Sequence, residues 1–134
     1  MQNEYFTMEL KIDQKKNIAY IKIVGPVSSK DILDAFDIAV SDEKYKRGMG
    51  RLWDFTEIDL SSLDSSAIPS MAQYSLSFPP GICDVKVAFV VTKTMEYGLT
   101  RMFQIHSDMD AKTQVMVFNT IDEAEKWMMR KEDS

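Results

Sequence analysis

Two stretches near the start of the chain, MELKID and IAYIKIV, alternate apolar with charged or polar residues: Leu10 and Ile12 in the first, Ile21 and Ile23 in the second. A period of two puts successive side chains on opposite faces of a strand. The intervening QKKN is short and polar, so the pattern predicts an antiparallel hairpin. Gly25-Pro26 punctuates its end. The period then changes. In SSKDILDAFDIAV, residues Ile32, Leu33, Phe36, Ala39 and Val40 fall on one helical face, and Asp31, Asp34 and Asp37 take the other. Ser28 or Ser29 is the natural N-cap, with Asp31 in the first turn.

GRLWDF reads as a buried strand ending near Asp54, which leaves Asp59 in a loop. The next helix carries Ile68, Met71, Ala72, Ser75 and Leu76 on one stripe, and Pro69 restricts its start to the first turn. Beyond the SFPPGICD loop, VKVAFVV is β-branched and nearly continuous, as a central strand covered on both faces should be. TMEYGLTRMFQIHSDM reads as a helix with Met95, Leu99, Met102, Phe103 and His106 on one side. TQVMVF reads as another buried strand. TIDEAEKWMMRK closes the pattern: Thr120 and Glu123 have capping-box spacing, and Ile121, Ala124, Trp127 and Met128 face inward. The order β-β-α-β-α-β-α-β-α predicts one α/β domain over residues 1–134, with a mixed, mostly parallel sheet flanked by helices.

Composition narrows the function. The chain has 134 residues, 45% hydrophobic and 28% charged, with a net charge of −5. That is enough chain for a core without disulfide or metal staples. The acidic balance and the lack of a basic stripe argue against nucleic acid, whose phosphates reward clustered cations. No apolar run has membrane-span length, and MQNEYFTMEL lacks the marks of a signal peptide. A single cysteine, Cys83, fits a reducing, cytoplasmic location. With His106 as the one histidine, neither a metal nor any other cofactor is expected.

Few residues suggest chemistry. Cys83 and His106 have no orienting partner in sequence, and Asp54 and Asp59 have no fixed mutual geometry, so the chain is not expected to be an enzyme. Asp64-Ser65-Ser66 precedes a helix, where such side chains cap free backbone N–H groups. Ser65 or Ser66 could also carry a phosphate there, since a helix N-terminus stabilises added negative charge. The ten methionines fill a core or line an adaptable apolar pocket. SMAQYSLSFPPGI is the natural cover of such a pocket, and Ile68, Met71, Tyr74, Leu76 and Phe78 are its candidate lining. Tyr97 and Arg101 lie on a face that is either solvated or a contact for a partner or headgroup.

Taken in order, IVGPVSSKDI, LWDFTEIDLSSLDSSAI, VAFVVTKTMEYGLTRMFQ and VFNTIDEAEKWM resemble the STAS/SpoIIAA-like superfamily over nearly the whole chain. They are most similar to its stand-alone bacterial SpoIIAA-like members, grouped with SEC14-type lipid-binding folds. The resemblance implies a non-catalytic binding module for a small apolar ligand or lipid, with the 68–82 helix and loop as lid. The anti-sigma-factor-antagonist branch implies instead a regulatory interaction module phosphorylated at Ser65. From that branch the chain departs by having Ala67 in place of the family glycine and a longer spacing from Asp54 to Asp64. A protein partner, a peripheral membrane contact and a homodimer all stay open.

Overall fold

Asp13 shows how the first turn forms. Its Oδ1 accepts the backbone N–H groups of Lys15 and Lys16, both at 3.0 Å, and Asn17 adopts a left-handed φ of 62°. The Lys16 N–H is the main cause holding the Asp13 carboxyl below its ordinary range. Asparagine tolerates that backbone region better than most residues. The turn joins β1 (Thr7–Asp13) to β2 (Ile18–Pro26), paired antiparallel with Leu10 opposite Ile21. In this computed structural model the residues described are 7–59, 73, 74, 77–79, 81, 82, 85–92 and 114–130.

Helix α1 (Ser29–Ser41) begins with a reciprocal cap. The Ser28 hydroxyl accepts from the Asp31 N–H, and the Asp31 carboxylate accepts from the Ser28 N–H. Ile32, Phe36 and Ala39 are buried as their spacing predicts, and Ala35 joins them; Leu33 and Val40 are half-buried against the same core.

Three further strands follow: β3 (Gly50–Asp59), β4 (Lys86–Val90) and β5 (Gln114–Phe118). The sheet order is β1-β2-β3-β4-β5, antiparallel at the first pair and parallel thereafter. The chain departs from expectation at β3, which does not end near Asp54. It passes an irregularity opposite Lys22 and Val24, and pairs Glu57 with Val24, Ile58 with Gly25 and Asp59 with Pro26. Continued pairing with a long β2 therefore carries Asp59 into the strand.

The sheet has two unequal covered faces. Ile21, Ile23, Trp53, Phe55, Val87 and Phe89 pack toward α1. Trp53, Phe55 and Phe89 touch ring to ring with centroids 5.4 to 6.3 Å apart. Ile18, Leu52, Ala88 and Val90 pack toward helix α2 (Ile121–Met129). Strand β4 is thus apolar on both sides, as VKVAFVV predicts. Each fully buried Val, Leu, Ile or Phe side chain contributes about 1.5–3 kcal/mol.

Two expectations fail at the far edge. β5 is not fully buried: Val115 and Val117 are half-buried and Met116 is 45% exposed. It is last in the sheet order, and Trp127 of α2 covers it at Phe118, with ring centroids 5.7 Å apart. Ile121 is 40% exposed instead of facing inward. It is the first helical residue, just past the end of β5, so only Ala124, Trp127 and Met128 lie over the sheet.

Candidate functional site

The part of the predicted lid that is described lies on α1. Gln73 and Tyr74 are helical, and Tyr74 and Phe78 are half-buried. Their rings and that of Phe36 form a triad of edge contacts, with centroids 5.7 Å (Phe36–Tyr74), 5.2 Å (Phe36–Phe78) and 5.3 Å (Tyr74–Phe78) apart. Aromatic rings favour such edge-to-face arrangements. The Tyr74 hydroxyl donates to Asp37 Oδ1 at 2.5 Å. That bond is the main reason the Tyr74 phenol is pushed above its ordinary range. Asp37, which the helical pattern places on the polar face, therefore meets this segment.

Downstream, the segment is clasped to the start of β3. Gly48 N–H donates to the Gly81 carbonyl at 2.8 Å, and Arg51 Nη1 donates to the Ile82 carbonyl at 2.8 Å. The same Nη1 donates to the Tyr45 hydroxyl at 2.9 Å, which donates to the Met49 carbonyl at 3.1 Å. Arg51 is 2% exposed, and its guanidinium carbon lies 4.7 Å from the Phe36 ring centroid. One buried cation thus touches both the clasp and the aromatic triad, a geometry suited to cation–π attraction. Gly81 has a φ of +94°, and a Cβ there would stand 2.9 Å from Arg47 Cβ. The turn therefore requires glycine on both conformational and steric grounds.

On the opposite face, Glu125 of α2 accepts a short hydrogen bond from the Tyr20 hydroxyl and pairs with Lys16 at 3.4 Å. Burial first, and Glu125 second, push the Tyr20 phenol well above its ordinary value. At the N-terminal ends of β2, β3 and β4 lies a half-open recess of about 240 Å³, lined by Lys16, Asn17, Gly48, Gly50, Lys86, Met128 and Arg130.

Asp54 and Asp59 do not form a carboxylate pair. They are five residues apart on one strand, roughly 16 Å at the usual rise per residue. The Asp54 carboxylate is engaged locally, accepting from the Thr56 N–H at 3.0 Å and the Thr56 hydroxyl at 2.6 Å. Among the described residues no group of three or more His, Cys, Asp or Glu could hold a metal ion, and no helix is long and apolar enough to cross a membrane. Ser65, Ser66, Ile68, Met71, Leu76, Cys83, Tyr97, Arg101 and His106 lie outside the described residues. Two constellations escape the sequence reading. Arg51 had a signal, as a charged residue directly before Leu52 and Trp53 in a strand read as buried. Tyr20 and Glu125 had none, being 105 residues apart.

The five-stranded sheet, its strand order and the helix on either face define an α/β protein with a SpoIIAA-like fold. Among solved structures the chain is similar to an uncharacterized protein of the DUF3478 family from Shewanella loihica PV-4, itself described as having a SpoIIAA-like fold. The TM-score is 0.61 at 17% identity, covering 96% of this chain and 98% of that one. No protein-family model matches the chain, and no curated protein matches it.

Proposed function

We propose that this chain is a non-catalytic SpoIIAA-like binding module for a small apolar ligand or lipid, with residues 68–82 as its movable cover. The carrying observation is the way Tyr74 and Phe78 are attached. Two rings rest on Phe36, one hydroxyl latches onto Asp37, and the Gly81–Ile82 end is clasped to β3. Opening the latch releases Tyr74 from α1 while the clasp at Gly81–Ile82 acts as a hinge. The Phe36 ring, 1% exposed with the cover down, then becomes an apolar floor. The triad is packed ring to ring, so a ligand that reaches the Phe36 ring replaces those contacts. Edge contacts between aromatics are worth only about 0.5–1.5 kcal/mol each beyond area burial, a modest barrier to exchange.

Native mass spectrometry of the protein purified from its own host tests this reading. A dissociable lipid-sized adduct, lost in Phe78→Asp, is the expected result. A bare chain carrying a phosphate at Ser65 would replace it with a regulatory interaction module. A bare, unmodified chain that also fails to take up a fluorescent fatty acid would end the apolar reading.

A further inference from the structure

The recess at the N-terminal ends of the parallel strands meets the described part of the cover through Gly48, whose N–H bonds the Gly81 carbonyl, and contains no member of the aromatic triad. We propose that it is a binding site for a compact oxyanion, a phosphate or a carboxylate. The proposal does not depend on the apolar reading.

Charge and size carry the argument. In a chain of net charge −5, Lys16, Lys86 and Arg130 converge on one concavity, and none of its described lining residues is acidic. A concave wall concentrates the field of such cations. The C-terminal end of α2 brings the opposite charge to this place, but Lys86 answers it: its Nζ donates to the carbonyls of Trp127 at 3.1 Å and Arg130 at 2.8 Å. This offsets the negative end of the helix dipole and leaves Lys16 and Arg130 to set the sign. Lys16, its side chain 40% exposed, pairs with the more buried Glu125 at 3.4 Å, a carboxylate that also accepts from Tyr20. The exposed ammonium keeps further N–H donors with which to meet an anion beside that carboxylate.

The backbone leaves room as well. A Cβ at Gly48 would meet nothing within 4 Å, so a ligand can approach the chain there. The Asn17 amide donates to the Gly48 carbonyl at 3.1 Å and fixes that stretch beside Lys16. The recess has a volume of about 240 Å³, room for several waters. It admits a hydrated phosphate or a carboxylate headgroup.

The test is an amide-resolved NMR titration of the whole chain with inorganic phosphate at constant ionic strength, chloride serving as balance. Saturable shifts at Lys16, Asn17, Gly48 and Gly50 are expected at millimolar phosphate. Lys16→Ala and Arg130→Ala should each weaken binding several-fold, and Lys44→Ala, an exposed lysine away from the lining, should not. Non-saturating shifts that chloride reproduces, or saturation indifferent to Lys16 and Arg130, would overturn the proposal. Retained spectral dispersion verifies that the variants fold. Vesicles of phosphatidylcholine with phosphatidic acid then identify the source. Binding that Lys16→Ala abolishes and phosphate competes away indicates a lipid headgroup, whereas phosphate binding without vesicle binding indicates a free anion.

Discussion

Tyr74 donates its phenolic proton to Asp37 across 37 residues of chain, at 2.5 Å. This contact joins the middle of the cover to α1. Tyr74→Phe keeps the ring triad and removes only the latch. Amide exchange at Ser77, whose N–H is bonded to the Tyr74 carbonyl, should quicken a few-fold, while exchange in β3 and β4 stays unchanged. Equal acceleration throughout would mean that the latch supports global stability and does not set opening of the cover.

Phe36 is the hub where the cover, the buried Arg51 and the core meet. Phe36→Ala leaves a ring-sized cavity and should cost about 3–5 kcal/mol in urea denaturation. Phe36→Leu should cost clearly less. If the alanine variant lost under about 1 kcal/mol, the ring would not be packed as described.

Gly50 is set by close packing. A Cβ there would stand 2.6 Å from Met128 Cε and 3.2 Å from the Lys86 carbonyl oxygen. Gly50→Ala should destabilise by about 1–3 kcal/mol. The methionine end can swing away, but the β4 carbonyl cannot. Adding Met128→Ala should therefore recover part of the loss and not all of it, a non-additivity that a double-mutant cycle measures directly.

Tyr20 and Glu125 make stability depend on alkaline pH. The folded state holds the Tyr20 proton more tightly than the unfolded chain, whose phenol titrates near its ordinary value of 10.0. The contribution is fully present below that value. It declines as pH rises above it, where the unfolded state releases a proton that the folded state keeps. Tyr20→Phe should flatten stability in this alkaline window. Near neutral pH it should cost about 1 kcal/mol or less, since the pair is only partly buried. An unchanged alkaline profile would show that Tyr20 is not the titrating group.

Much of the framework was legible in the order of residues because the deciding forces there are local. The Ser28–Asp31 cap, the Thr120 cap, the QKKN turn and the two apolar faces of β4 each follow from neighbours a few positions away. The errors arose where a local signal met a distant partner. β3 runs past Asp54 because β2 offers more strand to pair with. Met116 is exposed because β5 lies last in the sheet order.

By itself, then, the sequence determined the order of the described strands and of the first and last helices, the faces of these that are apolar and the caps that start both helices, since side-chain period and backbone hydrogen bonding act over one or two turns. Only the tertiary structure decided that Asp37 meets Tyr74, that Arg51 lies against Phe36 and below Ile82, and that Lys16, Lys86 and Arg130 surround one recess. These groups come from separate elements, and no periodicity along the chain encodes a distance between residues that are brought together only when the sheet assembles.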